Sequence, residues 1–468
     1  MPDVAYVAEA NSWLVRRAGG RPAGSGSRQL LLGQRLHVDP QSEAAGWIAA
    51  ETVVNDKGEI HRGFIERARL SAEQMLKVFF YDVGQGDAAL IEAEQVLILV
   101  DGGPNRMVAD QLERRLRALR RADQAVGRPP RAQLHLNAVV VSHFDKDHYV
   151  GLTRLLRNPD YSFGTLYHNG LPRYGDGAER DLDLGRLSES PHGGRAITAD
   201  LRDLDSARQM LDDGVLLTAR GNLNQFGRFL QAASDAADEG RLDGLQFLAR
   251  RDPAGPPVIL PDTGPLQLEV LGPVTTRPNG PIRLQAFPDP HDISASNRHP
   301  APSASHTING NSVVLKLSFG DTSFLLGGDL NQPAQKYLGA RFGDLGIFEA
   351  DVNKACHHGS SDFDLDFVSA VRPLATVFSS GDSGNYDHPM PDAMGTAARY
   401  SRGTYPLIFS TELARETGAG RNPKILYGHI NARSNGREVV MAQRRESLSS
   451  KKKWHSFPLP FHGPFGDH

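Results

Sequence analysis

The chain has 468 residues, of which 39% are apolar and 23% charged, and its formal net charge is −3. This composition excludes a disordered, collagen-like or coiled-coil chain as the main state, and the length predicts two or three structural units. The single cysteine, Cys356, excludes an internal disulfide framework and a cysteine-rich zinc module. The balanced charge argues against a broad basic surface that coats nucleic acid, although a local basic patch is compatible with it.

The N-terminus lacks the basic start and apolar core that are typical of a signal peptide. The longest apolar runs, such as Val96–Val100, are far shorter than the ~20 residues that a membrane-spanning helix needs. We therefore expect a soluble, cytoplasmic protein with no membrane partner.

The first segment, residues 1–72, predicts a small β-barrel. Turn-rich stretches at 21–27 and 55–58 separate short extended runs, and this spacing is typical of small β units. Gly46-Trp47-Ile48 followed by Gly63-Phe64-Ile65 resembles the bacterial SH3-like fold. That resemblance implies a module that binds a protein or peptide partner; the alternative is a different small β unit that serves only for packing.

A different pattern begins at Lys77 and predicts an α/β unit over residues 75–445. The helix predicted at Met107–Arg121 carries apolar residues on one face. A hairpin is expected across Gly320-Asp321. The expected strands are Val78–Val83, Val96–Val100, Ala138–Val141, Ser312–Phe319, Ser323–Leu326, Val352–Lys354 and Ala375–Phe378.

Residues 160–310 predict a long insertion that overhangs the functional site. Helices are expected at Leu201–Leu211 and Phe226–Ala237, whereas 252–305 is rich in Pro, Gly, Asn and Asp and predicts mostly loop. One further strand is expected at Val439–Gln443, and 446–468 is expected to be a C-terminal tail.

The motif Ser142-His143-Phe144-Asp145-Lys146-Asp147-His148 directly follows a predicted strand. Side chains at a strand end converge on one point, and imidazole and carboxylate are the usual ligands for zinc, manganese or iron. Taken alone, the motif is also compatible with a solvated turn that has local hydrogen bonds.

Four further polar features accompany this motif, and three of them also follow predicted strands. They are Asp101-Gly102-Gly103, Gly327-Gly328-Asp329, Ala355-Cys356-His357-His358-Gly359-Ser360-Ser361, and the turn Tyr386-Asp387-His388-Pro389. Their coincidence predicts a metal site at the edge of a sheet.

The order of these motifs resembles the metallo-β-lactamase fold, and within it the soluble hydrolase domain of the ComEC-like competence proteins. The resemblance also rests on Asp-Val-Gly-Gln-Gly-Asp (82–87) and Asn-Ser-Val-Val-Leu (311–315). It covers about residues 77–445, with 160–310 unmatched. It implies an αββα sandwich, a metal site at one edge of the sheets, and phosphodiester hydrolysis.

The resemblance also implies roles for individual residues. Asp147 and His148 would bind one metal ion, with Asp329 as the bridging carboxylate and either His357 or His358 as a further ligand. His143 and Asp145 would hold a second ion and share Asp329. Asp101 would support the metal loop from behind, and Asp87 would either do the same or cap a turn.

The sequence departs from the family pattern at two points. The common motif has a histidine where Asp145 stands, and a harder oxygen ligand favours Mn²⁺ or Mg²⁺ relative to Zn²⁺. The usual histidine between the first motif and Asp329 has no clear counterpart, with His168 and His306 as candidates. One or two divalent ions are therefore expected.

In the implied reaction, Asp147 belongs to the catalytic metal site, and His388 either holds a phosphate oxygen or protonates the leaving group. Ser360 or Ser361 would donate to the phosphate. The alternative for His388 is a turn residue fixed by Pro389. Cys356 is expected to be a buried neighbour of the site and not a ligand.

Three functions are compatible with these features. The first is a metal-dependent nuclease that acts on DNA or RNA. The second is a hydrolase of a small phosphodiester, lactam or thioester. The third is a non-catalytic binding protein in which the metal site is structural.

Overall fold

The computed structural model describes residues 3–53, 59–125, 127, 129–176, 178, 180–277, 279, 281–292, 300–381, 387–411, 428–445 and 453–460. The turn predicted at 55–58, Tyr386 and much of the predicted tail at 446–468 lie outside these residues.

The helices are α1 (Met107–Ala125), α2 (Lys146–Leu156), α3 (Leu204–Asp212), α4 (Gln225–Asp238), α5 (Ala304–Gly310), α6 (Gln332–Phe342), α7 (Leu365–Val371) and α8 (Pro391–Arg399). Among the described residues, no helix combines the length and apolar character needed to cross a bilayer. The two helices predicted between 200 and 240 are present as α3 and α4, with bounds that differ slightly from the predicted ones.

The strands are β1 (Asp3–Val7), β2 (Ser12–Leu14), β3 (Arg28–Leu30), β4 (Arg35–Ala44), β5 (Trp47–Val53), β6 (Ile60–Glu66), β7 (Leu70–Ser71), β8 (Leu76–Phe80), β9 (Ala89–Ala93), β10 (Val96–Val100), β11 (Leu134–Val141), β12 (Tyr161–His168), β13 (Leu187–Glu189), β14 (Arg195–Thr198), β15 (Leu242–Phe247), β16 (Val258–Ile259), β17 (Gln267–Gly272), β18 (Arg283–Ala286), β19 (Val314–Phe319), β20 (Thr322–Leu326), β21 (Val352–Lys354), β22 (Ala375–Phe378), β23 (Leu407–Ser410), β24 (Ile430–Ser434), β25 (Val439–Arg444) and β26 (Trp454–Leu459). The hairpin predicted across Gly320-Asp321 is confirmed by the antiparallel pairing of β19 with β20.

The N-terminal strands form a five-stranded sheet in the order β6-β5-β4-β1-β7, with β2 and β3 as a separate hairpin. The sheet is open between β6 and β7 in the described part of the chain, so the predicted closed barrel is not found there. A small core that includes Val7, Leu36 and Ile65 lies within this unit. The unit contacts the larger sheet, because Arg433 on β24 donates to the carbonyl of Leu32 at 2.8 Å.

The rest of the chain is built on two large sheets. One has nine strands in the order β15-β12-β11-β10-β9-β8-β24-β25-β26, and the other has seven in the order β16-β17-β19-β20-β21-β22-β23. Parallel pairs join β10 to β11 in the first sheet and β20 to β21 in the second.

Three hydrophobic cores give these sheets a helix–sheet–sheet–helix layering. On β11, Val139 and Val141 pack with α1, α2 and α4, whereas Val140 packs with residues of the seven-stranded sheet. This alternation follows from the two-residue period of a strand. A third core packs α6 and α7 on the outer face of the second sheet. The predicted αββα order of layers is therefore present.

The structure corrects the predicted insertion and the predicted tail. Within 160–310, β12 and β15 belong to the nine-stranded sheet and β17 to the seven-stranded sheet. The loop predicted over 252–305 thus contains a sheet strand, because Gln267–Gly272 pairs with β19 although Pro, Gly and Asp surround it. Likewise, Trp454–Leu459, expected in the tail, is the edge strand that pairs with β25.

Helix α2 is held against the loop that follows β10 by close backbone contacts. The amide of Gly102 donates to the carbonyl of His148 at 2.6 Å, and the amide of Gly151 donates to that of Gly103 at 2.9 Å. A Cβ atom at Gly151 would lie 2.0 Å from the Gly102 carbonyl oxygen. Only glycine permits this approach, which positions both chain segments at the site.

We expect Gly151→Ala to lower the free energy of unfolding by about 2 kcal/mol, because the added methyl group forces the helix away from the loop. Gly395→Ala is the matched control, since a Cβ there meets nothing within 4 Å in helix α8. That variant should gain about 0.5–1 kcal/mol from helix propensity. Urea unfolding measures both, and a stabilised Gly151→Ala protein would contradict this packing.

Candidate metal centre

The candidate site lies where the carboxyl ends of strands from both large sheets meet. Asp101 follows β10, the motif 142–148 follows β11, Asp329 follows β20, and His358 follows β21. The two sheets are joined directly at this edge, because the amide of Val313 donates to the carbonyl of Ser142 at 2.8 Å. Residues far apart in the sequence therefore converge here.

Four side chains form a compact group, which we call the central cluster: Asp147, His148, Asp329 and His358. One ligand atom from each lies within 4.8 Å of all the others. Oδ1 of Asp329 is 3.3 Å from Nε2 of His148, and its Oδ2 is 3.2 Å from Nε2 of His358. Oδ2 of Asp147 lies 3.3 Å from the same His358 nitrogen. This set of imidazole and carboxylate groups can hold a divalent metal ion.

Buried polar atoms in the cluster support this interpretation. Nε2 of His148, Nε2 of His358 and Oδ1 of Asp329 are buried and have no hydrogen-bond partner among the described residues. Unsatisfied buried polar groups cost about 1–3 kcal/mol each, so three of them within one compact group require an explanation. A coordinated cation would satisfy all three, and the residues present therefore fit such an ion.

The imidazole of His148 is oriented from behind by Asp101. Oδ2 of Asp101 lies 2.9 Å from Nδ1 of His148, so Nδ1 donates to it and Nε2 is directed into the cluster. The same carboxylate accepts from the amide and hydroxyl of Ser142 at 2.7 Å each. Such outer contacts fix the tautomer and ring orientation of a ligating histidine. Asp101 thus lies directly behind a candidate metal ligand.

His358, and not His357, completes the central cluster. The sequence left these two neighbours as alternatives. Nδ1 of His358 contacts the carbonyl of Ser379 at 2.9 Å, whereas Nε2 of His357 is 4.0 Å from the nearer oxygen of Asp329. Both histidines have positive φ, at 48° for His357 and 55° for His358. This left-handed conformation costs non-glycine residues energy and is concentrated at functional sites.

His143 and Asp145 lie beside the central cluster. The ring centroids of His143 and His148 are 4.1 Å apart, and Nε2 of His143 is 4.0 Å from Oδ2 of Asp145. Asp145 occupies the N-cap position of α2, yet its side chain makes no capping hydrogen bond. Its other oxygen lies 3.5 Å from the guanidinium of Arg173. The carboxylate therefore faces the site and does not serve the helix.

Lys354 is a site residue that the sequence analysis missed. Its ammonium group is buried, forms an ion pair with Asp87, and lies 3.9 Å from Oδ1 of Asp329. Oδ1 of Asp87 is in turn 3.4 Å from Nδ1 of His358. Asp87 therefore lies behind the cluster and does not merely cap a turn. The sequence feature that could have identified Lys354 is its position at the end of the short strand Val352–Lys354, directly before the histidine motif.

The remaining predicted residues lie around the cluster. The ring of His388 is 5.8 Å from that of His357, at the rim. The hydroxyl of Ser361 donates to Asp392 at 2.9 Å, and that of Ser360 accepts from the amide of Asp362 at 3.2 Å. In the described part of the chain, neither hydroxyl bonds to the central cluster.

Neither candidate for the missing histidine joins the cluster. His168 packs its ring 5.8 Å from that of Phe144, and His306 lies 3.5 Å from Asp362. The space beside His357 is instead occupied by Asn309, whose Nδ2 is 3.5 Å from Nε2 of that histidine.

Cys356 is a neighbour of the site, as the sequence predicts. Burial raises the pKa of its thiol to about 12, so the sulfur is neutral at physiological pH. The sulfur packs closely against Gly327, where a Cβ atom would lie 2.6 Å from it, and Cys356 borders the third hydrophobic core, which gives it a packing role.

Burial and neighbouring carboxylates have opposite effects on the pKa values of the histidines in the site. Burial disfavours the imidazolium form of His148, but Asp329 and Asp101 outweigh it and hold the pKa well above its usual value. Burial likewise disfavours the imidazolium form of His358, but Asp329 and Asp87 outweigh it and raise the pKa of this ring well above its usual value. For His143, burial and the neighbouring His148 lower the pKa well below its usual value. The carboxylates around His148 and His358 thus favour the protonated form of both rings.

Because a metal ion displaces protons from its imidazole ligands, we expect binding of Mn²⁺ to release protons, and the affinity to fall as the pH falls. Calorimetry in buffers of different ionisation enthalpy counts the protons. His358→Asn should reduce the number of protons released, whereas His135→Asn, on an exposed part of β11, should leave it unchanged. Binding without proton release would contradict this charge state.

No protein-family model and no curated protein sequence matches this chain. Among solved structures, it is similar to the metallo-beta-lactamase fold protein YhfI from Bacillus subtilis, with 9% identity, a TM-score of 0.31, and coverage of 72% of this chain and 96% of that one. A mutant of CmlA beta-hydroxylase gives 10% identity and a TM-score of 0.32, over 73% of this chain and 54% of that one. A mutant metallo-beta-lactamase from Cronobacter sakazakii gives 13% identity and a TM-score of 0.24, over 59% and 75%. At such low TM-scores, the layers and strand pairs given above define the fold.

Proposed function

We propose that this protein is a metal-dependent phosphodiester hydrolase that acts on nucleic acid. The observation that carries the proposal is the central cluster, in which imidazole and carboxylate atoms lie within 4.8 Å of one another at the edge where two sheets meet. The phosphodiester specificity is supported by the ComEC-like order of the sequence motifs. Asp147, His148, Asp329 and His358 would hold the first ion, and His143 and Asp145 would extend the site toward a second.

A divalent ion in this site would supply a water of lowered pKa and neutralise charge on the phosphate. The chain provides the orientation. Asp101 holds His148, and the carbonyl of Ser379 holds His358, so that Nε2 of each ring is directed into the cluster. Asp145 adds a hard oxygen ligand, which favours Mn²⁺ or Mg²⁺.

His388 is better suited to hold a phosphate oxygen than to protonate the leaving group. Burial and the nearby His358 lower its pKa to about 4, so the ring is neutral at pH 7. The side-chain nitrogen of Gln85 lies 3.3 Å from Nδ1 of His388 and can donate to it. That contact places the ring proton on Nε2, where it can donate to a bound oxygen. A general acid would need the protonated ring, which is scarce at neutral pH.

A panel of substrates and metals tests the function. The purified protein is incubated with single-stranded DNA, duplex DNA, RNA, a cyclic dinucleotide and bis(p-nitrophenyl) phosphate, each with Mn²⁺, Mg²⁺ or Zn²⁺. We expect hydrolysis with Mn²⁺ that stops on chelation. Hydrolysis of a lactam or thioester in place of every phosphodiester would overturn the proposal, and hydrolysis of the small diesters alone would overturn its nucleic-acid part.

We further propose that the N-terminal unit is an SH3-like module that binds a protein or peptide partner. The proposal is supported by the motif pairs around Trp47 and Phe64, which lie on the adjacent strands β5 and β6. A truncated protein that starts after residue 72 would test whether the unit is needed for activity or for partner binding.

A further inference from the structure

A surface groove lies beside the exposed face of α2, outside the central cluster. It has a volume of about 600 Å³ and lies between α2 and the residues that precede α1. The residues that line it include Arg106, Arg154 and Arg157, together with Asn105 and Thr153. We call it the arginine groove.

The arginine groove and Asp147 of the central cluster lie along the same face of α2. Asp147 and Arg154 are seven residues apart, which is close to two turns of an α-helix, so both project from the same side of α2. Val150 and Arg157 fall on the same stripe, and each is at least partly exposed. At 1.5 Å per residue, the ten residues from Asp147 to Arg157 span about 15 Å along the axis.

Among the described residues, two of the three groove arginines lack an acidic partner and the third has one. Arg106 pairs with Asp110 at 3.3 Å, and on α1 Arg117 pairs with Glu113 at 2.8 Å. Among the described residues, neither Arg154 nor Arg157 makes an ion pair or a side-chain hydrogen bond. Two uncompensated guanidinium groups on a protein with a net charge of −3 form a local site for anions.

We propose that the arginine groove binds the phosphate backbone of a nucleic-acid chain whose scissile phosphate lies at the central cluster. This inference rests on the proposed function and deepens it, because it makes a polymer the substrate. At 3.4 Å per nucleotide along the axis of a duplex, a span of about 15 Å covers about four nucleotides of one strand, and it covers fewer of an extended single strand. Guanidinium groups contact phosphates bidentately and without regard to base, so the groove sets register and not sequence.

The test measures binding separately from cleavage. A fluorescein-labelled 20-nucleotide oligothymidine is titrated in EDTA with the wild type, with R154Q/R157Q, and with the control R16Q/R17Q. The control removes the same charge from two exposed arginines of the N-terminal unit, which do not line the groove. Hydrolysis of bis(p-nitrophenyl) phosphate with Mn²⁺ is measured for all three proteins.

We expect the Kd of R154Q/R157Q to rise roughly 10- to 30-fold at 0.1 M salt, because about two phosphate contacts are lost at about 0.7 in salt slope each. The control should change less than about twofold, and turnover of the small diester should stay equal in all three proteins. A four-nucleotide probe should distinguish the variants less than the 20-nucleotide probe does.

Unchanged oligonucleotide binding in R154Q/R157Q, or an equal loss of binding in R16Q/R17Q, would show that the arginine groove does not bind nucleic acid. Neither result would contradict the proposed phosphodiesterase activity. A loss of small-diester turnover in R154Q/R157Q would also overturn it, since the arginines would then act on the cluster. If the wild type hydrolyses no phosphodiester with any metal, the proposed function fails, and the titration in EDTA still decides whether the groove binds nucleic acid.

Discussion

Asp329→Asn is expected to remove the bound metal ion and to lower phosphodiester hydrolysis at least about a thousandfold. The carboxylate faces two imidazoles, with Oδ1 3.3 Å from Nε2 of His148 and Oδ2 3.2 Å from Nε2 of His358. Asparagine keeps the size of the side chain but replaces one oxygen with an amide NH₂ group, which cannot coordinate a cation. A metal ion supplies several kcal/mol of transition-state stabilisation, and about 4 kcal/mol corresponds to a thousandfold in rate.

Metal content per chain and the rate with Mn²⁺ measure this effect. Asp321→Asn is the matched control, because Asp321 is exposed in the turn between β19 and β20 and lies a few residues from Asp329. The rate of Asp101→Asn should lie between those of the two other variants, about 10- to 100-fold below wild type, because Asp101 orients a ligand and does not itself bind the ion. A full metal complement in Asp329→Asn would show that the central cluster is not the metal site.

Glu92→Gln is expected to lower the free energy of unfolding by roughly 3 kcal/mol at pH 7. Glu92 on β9 lies 3.3 Å from the ammonium group of Lys77 and forms an ion pair with Arg115 on α1. Although burial favours the neutral acid, Arg115 and Lys77 lower the pKa of Glu92 from 4.5 to about 2. A pKa lowered by this much corresponds to roughly 3 kcal/mol. Removing one partner of a buried ion pair also leaves the other charges uncompensated.

The pH dependence separates this ion pair from a general packing effect. Because the pKa of Glu92 is depressed, its contribution is complete above pH 4.5 and is lost as the pH falls toward 2. The difference between wild type and Glu92→Gln in urea unfolding should therefore be smaller at about pH 3.5 than at pH 7. Glu94→Gln, two residues along at an exposed position, should differ from wild type by less than about 0.5 kcal/mol. A difference that stays constant with pH would contradict the proposed origin.

Several elements followed from local pattern alone. The period of apolar residues located α1, and short β-rich runs located β10, β11 and β22. The polar motifs after β10, β11, β20 and β21 were expected to converge, because the end of a strand brings the next side chains to the edge of the sheet. Asp147, His148 and Asp329 are in the central cluster for this reason.

Other elements depended on partners that are distant in the sequence. Gln267–Gly272 is a strand because β19 offers its edge, although the surrounding residues are typical of loops. The five-stranded N-terminal sheet stays open between β6 and β7, and runs of alternating residues do not specify closure. Pairing with strands that are distant in the sequence therefore outweighs the local secondary-structure propensity of these residues.

The sequence predicted part of the chemistry of the site, and the packing of the chain determined the rest. Residue types and their spacing were sufficient to indicate a centre of imidazole and carboxylate, since only one cysteine is present and the histidines and acids follow strands. The choice of His358 over His357 depended on a backbone with positive φ at both residues, which directs one ring into the cluster and the other to its side. The pairing of Lys354 with Asp87 required two strands from different sheets to meet. Periodicity reports which face a residue occupies, and only the packed chain determines which side chains share a few ångströms.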